Sequence, residues 1–146
     1  MADSIKARII KRILEICAPL LADGKVRKIE RKSSIFLLEP VKPAIHLVIG
    51  DEHGVVEDER GYTATFPAMV KLILDDARDP FALSDTIVPF VQGKMESDEQ
   101  LGGLASKITY DGELPFTEEA LKPDGGTVMM YLIKYRRLRG DATTSY

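Results

Sequence analysis

Residues 127–139, TVMMYLIKYRRLR, place the tightest constraint on the fold. Val128, Met130 and Leu132 alternate with Met129, Tyr131, Ile133 and Tyr135. Side chains alternate across a strand, so a strand here is apolar on both faces. Such a strand belongs in the middle of a sheet, with helices or another subunit covering it.

The other segments fit around that strand. Ile5, Ile9, Ile13, Ile16 and Leu20 recur at steps of three and four, widened by Ile10, Cys17 and Leu21. This spacing predicts an amphipathic helix with a basic outer face, capped by Asp3 or Ser4 and stopped at Ala22-Asp23-Gly24. Strands are expected over 26–32, 44–50 and 61–74. Pro40 and Pro43 hold the stretch between the first two extended. Ile87, Val88, Val91 and Met95 give a second helical stripe that ends near Ser97, with Asp79 or Ser84 as its cap. Pro89 is harmless if that helix starts near Asp85 and kinks it if it starts at Pro80. Leu101-Gly102-Gly103-Leu104 is a tight connection. Residues 105–110 and 127–139 form the last two strands.

The polar stretches 51–60 and 112–126 read as loops, and 141–146 as a flexible tail. The order α-β-β-β-α-β-β points to an α+β fold. A mostly antiparallel sheet of four to five strands with both main helices on one face is the economical packing. At 146 residues the chain has the length of one domain, expected over 1–140.

Composition narrows the chemistry. Cys17 is the only cysteine, which excludes an intramolecular disulfide and a cysteine-rich zinc site. It sits in the apolar stripe of the first helix, so a buried inert thiol is expected. No apolar run is long enough to span a bilayer. Basic residues inside the N-terminal apolar stretch are unlike a signal peptide. His46 and His53 are the only histidines. Asp51-Glu52-His53 places its ligands consecutively, pointing in different directions, so no metal is expected there. His46 reads as a half-buried strand residue. Gly102-Gly103 lacks the lysine and the spacing of a phosphate-binding loop. No serine stands in a nucleophile elbow, and no acid–base pair is visible, so no catalytic residue and no cofactor are assigned.

Charge is segregated. Residues 1–42 carry ten Lys/Arg against five Asp/Glu, residues 43–130 six against seventeen, and residues 131–146 four against one. Opposite signs on different parts of one chain favour contacts between neighbouring subunits. The cluster Lys25, Arg27, Lys28, Arg31 and Lys32 could touch phosphates, but it lacks the aromatics that stack on bases.

The C-terminal half also carries an order of features. Glu96-Ser97-Asp98-Glu99-Gln100-Leu101-Gly102-Gly103-Leu104-Ala105 ends a helix and turns into a strand. An acidic, proline-containing loop follows, then Met130-Tyr131-Leu132-Ile133-Lys134-Tyr135-Arg136. Upstream, Pro43-Ala44-Ile45 leads a strand into Gly50-Asp51-Glu52. From about Pro43 to Asp141 this resembles the tail terminator (tail completion) proteins of long-tailed bacteriophages. The long 31–43 segment and the acidic 51–60 stretch depart from the simplest members.

The resemblance implies a structural virion protein, not an enzyme, assembled in the host cytoplasm. It implies a hexameric ring on the head-proximal end of the tail tube. The implied partners are the tail tube protein, a neck or head-completion protein and, in contractile tails, the sheath. DNA would pass through the channel without specific binding. The nearest alternative is a head-completion or neck protein. On this reading Asp51, Glu52, Glu57, Asp58, Glu59, Glu113, Glu118, Glu119 and Asp124 are candidates to line the channel, where a negative wall repels the DNA backbone. Arg136, Arg137 and Arg139 are candidates to pair with acids across subunits or on an adjoining ring.

Overall fold

The fold was analysed in a computed structural model that describes residues 3–35, 37, 39–74, 80–97, 100–119 and 122–144. The side chains of 80, 81, 100, 115–119 and 122–125 are not among the parts described.

Helix α1 (Ile5–Ala22) begins where Ser4 accepts a hydrogen bond from the Ala7 amide, 3.1 Å away. This satisfies one of the donors that a helix start leaves free. The stripe expected from spacing is the buried face: Ile5, Ile9, Ile13, Ile16 and Leu20 are all buried. Strands β1 (Lys28–Lys32), β2 (Ala44–Ile49), β3 (His53–Glu57) and β4 (Gly61–Ile73) follow. Helix α2 (Pro80–Ser97) buries Ile87, Val88, Val91 and Met95 and keeps Pro89 inside it. The proposed cap Asp79 lies outside the described residues. A short turn, α3 (Gln100–Gly103), carries Leu101 and Gly102 in left-handed conformations. Strands β5 (Lys107–Glu119) and β6 (Lys122–Leu138) complete the chain.

The architecture is α+β, with α1 and α2 on one face of a six-stranded sheet ordered β1-β2-β4-β6-β5. Three expectations need correcting. The sheet has six strands rather than four or five; it is mostly antiparallel as expected, with β1 parallel to β2 as the exception. The 51–60 stretch is not a plain loop: β3 pairs with β4 through an irregularity between His53 and Val56, where Gly54 has φ +58°. The 112–126 stretch is likewise strand, since β5 and β6 stay paired past Gly112, which takes φ +99° at the break in register. Proline, glycine and acids made both stretches look like loops, but pairing to a long neighbour holds them extended. Described residues of the polar tail bond back to the domain. Ile5 donates to Ala142 O at 2.9 Å, and Leu138 to Thr144 O at 2.9 Å. Asp141 accepts from the Thr143 amide and from the Thr143 and Thr144 hydroxyls, which holds its carboxyl down at about 2.

Two positions end the β4–β6 ladder, Gly61 opposite Leu138 and Gly126 opposite Ile73. A Cβ on Gly61 would lie 2.1 Å from Arg137 O, and one on Gly126 1.8 Å from Leu72 O. No side chain fits at either place.

The core fills the layer between helices and sheet. Ile9, Ile13, Phe66, Val70, Tyr131 and Ile133 belong to it. Phe66 packs edge-to-face on Tyr135, centroids 5.8 Å apart. Cys17 is in this layer, and burial pushes its thiol up to about 12. A thiol that is not ionised is a poor nucleophile. The native protein is therefore expected to stay unlabelled by an aromatic disulfide reagent at pH 8 and to react once unfolded. Rapid stoichiometric labelling of the native chain, followed by absorbance, would contradict this burial.

Among the described residues no helix covers the opposite face of the sheet. A strap made of the described residues between Ser33 and Pro43 lies over it, with Ile35 and Leu37 above β4 and Glu39 above β2. Lys71 on β4 is fully buried beneath the strap and donates to Ile35 O at 2.5 Å and Leu37 O at 3.1 Å. Glu39, also buried, lies 3.0 Å from His46 Nε2 on β2 and 3.5 Å from Lys28 Nζ on β1, and accepts from the Val41 amide at 3.0 Å.

Candidate functional site

The charged residues singled out in the sequence fall at two ends of the sheet. At the β4 start, Asp51, Glu52, Glu57, Asp58 and Glu59 are all exposed on or beside β3. Asp58 Oδ1 accepts from the Arg60 and Gly61 amides at 2.8 and 3.0 Å, which closes the β3–β4 turn. The three arginines come to the same end because β6 pairs in register with β4, Thr63 opposite Arg136 and Tyr62 opposite Arg137. Arg137 lies over the Tyr62 ring at 4.5 Å, and Arg139 at 5.8 Å. Arg139 also pairs with Glu57 at 2.6 Å and donates to Asp58 O at 3.0 Å. The Tyr135 hydroxyl donates to Glu52. Burial first, and then the Glu52 carboxylate, push that phenol upward.

The other acids lie elsewhere. Glu113 is opposite Met129, which is opposite Val70, eight positions along β4 from the Glu57 partner Tyr62. At a strand rise of ~3.3 Å per residue that is about 26 Å. Glu113 is exposed, with an oxygen 3.4 Å from the Thr127 hydroxyl. The backbone of Glu118 and Glu119 continues β5 beyond it towards the hairpin tip. The side chains of Glu118, Glu119 and Asp124 lie outside the described residues. The fold therefore brings the 51–59 acids together with the arginines, and carries the 113–119 group to the far end.

Between these ends, a cleft of about 400 Å³ opens beside β5, lined by Met95, Glu96, Ser106, Ile108, Tyr110 and Tyr131, among others. Tyr110 and Tyr131 stand 5.3 Å apart, and Gln92 donates to the Tyr110 hydroxyl at 3.0 Å. The buried Tyr131 hydroxyl has no hydrogen-bond partner among the described residues. A buried hydroxyl without a partner costs free energy. Tyr131→Phe is therefore expected to raise the unfolding free energy by about 1 kcal/mol. A loss of that size in urea titration would mean that the hydroxyl has a partner.

The sequence reading missed the Glu39–His46–Lys71 cluster. His46 is fully buried rather than half-buried. One signal was available: a histidine and a lysine interrupting two apolar strands, next to a segment bracketed by prolines. Among the described residues no three His, Cys, Asp or Glu side chains gather in a way that would hold a metal ion. No helix among the described residues is long and apolar enough to cross a membrane. No protein-family model matches the chain, and no curated protein matches it in sequence.

Proposed function

We propose that this chain is a structural virion subunit that caps the head-proximal end of a phage tail tube as a hexameric ring. It would end tube growth there and offer the docking surface for the neck. The resemblance over Pro43–Asp141 motivates this reading, and one observation carries it further. A long β4–β6 ribbon bears an acidic group at each end. With the ribbon along the channel, the two groups would sit at its two mouths. There they would repel the DNA backbone and let it slide. Arg136, Arg137 and Arg139 gather at one mouth, where an adjoining ring would meet them. Within its own chain Arg139 pairs with Glu57 and Arg137 lies over Tyr62.

The test mixes purified protein with tail tube protein and images the product by negative stain. Short tubes with a ring at one end are the expected result. Tubes of unchanged length would remove the capping role and move the assignment to a head-completion or neck protein on the portal side.

A further inference from the structure

Strands β2 and β3 lie end to end along β4. β2 covers Ala68–Ile73, and β3 reaches from Thr65 to Tyr62. Strand β1 flanks β2 only, over Lys28–Lys32. After Lys32 the chain leaves the sheet plane, since Ile35 and Leu37 lie over Lys71 on the outer face. The position beside β3, in line with β1, therefore holds no strand among the described residues. It is a notch one strand wide and five residues long, and β1 is a projection of the same size.

The His53–Val56 irregularity gives the β3 edge partial protection against pairing. Edge strands are usually guarded by charge or proline. Here Val55 and Val56 are 51% and 63% exposed on β3 itself. Asp51, Glu52, Asp58 and Glu59 flank the notch, beside the Arg136, Arg137 and Arg139 end of β6, whereas β1 carries Lys28, Arg31 and Lys32 against Glu30. Arg31 is its exposed residue.

We infer that a second copy of this chain fills the notch: its β1 adds to β3, and β1 of the first copy adds to β3 of the second, about a twofold axis perpendicular to the sheet. The operator satisfies four conditions together. It lays the two β1 strands end to end in one line. It makes each β1–β3 contact antiparallel, because β1 and β3 both run opposite to β4 within one copy and the axis reverses the partner. It keeps both helix layers on the same side. It brings basic β1 to the side of β3 that Asp51, Glu52, Asp58 and Glu59 flank. The contact is self-complementary and closed, so it stops at two copies. It is read from the two free edges alone and does not depend on the ring reading.

The experiment measures solution mass by sedimentation across protein and salt concentrations, with amide exchange of the 53–57 segment at each. A dimer is expected that weakens as salt rises, with 53–57 amides protected in proportion to dimer. Val55→Lys with Val56→Lys, at exposed positions, puts like charge against β1 and should weaken association at least tenfold. Arg31→Glu alone should do the same. The triple combination should recover most of the loss, which separates a broken contact from a misfolded chain. A monomer at every concentration, a dimer indifferent to these changes, or any assembly whose 53–57 amides stay unprotected would overturn the pairing. Capped tubes formed by the monomeric lysine variant would leave the ring reading standing while the twofold contact is absent. Failure of wild-type dimer to cap tubes would do the reverse.

Discussion

Phe66→Ala should lower the unfolding free energy by about 3–5 kcal/mol, the cost of emptying a large, closed aromatic site. Phe66 is fully buried at the centre of β4, against Tyr135 and beneath the Lys6 ammonium, which lies 5.0 Å from the ring centroid. The strand cannot shift to close the gap. It is paired residue for residue with β6 across Gly61–Ile73, and the ladder is locked at both ends by glycines without room for a Cβ. Chemical denaturation monitored by circular dichroism reads the change. A loss under 1.5 kcal/mol would mean that the layer between helices and sheet is looser than described.

The second large effect belongs to Glu39. Burial alone would push its carboxyl up, but hydrogen bonds from His46 and the Val41 amide, with the Lys28 ammonium, outweigh it and hold it below the usual carboxylate range. A folded-state value below the unfolded one means that ionised Glu39 stabilises the fold. That stability is complete above the ordinary value of 4.5 and is lost as pH falls through the folded-state value. Glu39→Ala removes it at every pH and leaves buried His46 without its partner, a cost of about 3 kcal/mol. Urea midpoints from pH 3 to pH 7 should therefore fall less steeply towards acid in the variant than in the parent. Parallel curves would show that other carboxylates carry the acid sensitivity.

Much of the helix-facing half was legible in the sequence, because periodicity alone encodes it. The α1 and α2 stripes announce which face is buried, and the two-sided apolar strand β6 announces its place inside the sheet. What escaped was set by partners far along the chain. β3 is five exposed residues held by pairing to β4 and by the Arg139–Glu57 ion pair, so its own composition reads as loop. The β5–β6 arm is held extended by mutual pairing past a glycine that breaks the alternation. Glu39, His46 and Lys71 are brought together by the strap, with Lys71 and Ile35 36 positions apart, and no local pattern announces a contact of that range. The charged ends were half-legible. The acids and arginines were identified by type, but their gathering at one end depends on the β4–β6 register.

The strap has a consequence for how the molecule opens. The strap is held to the sheet by a few polar bonds and β1 by one short parallel ladder at the edge, whereas β4 and β6 are paired on both sides and bury the core. Regions with few apolar contacts open at lower free energy than the global transition. The chain should therefore breathe in two tiers, with β1 and the strap releasing together while β4–β6 stays closed. A second copy seated on β1 binds only the closed form, so it draws down the open population by mass action. Association and strap closure then become one linked equilibrium. The acid that loosens Glu39 from His46 would also loosen the dimer, and a dimer at high concentration would shift strap opening to lower pH.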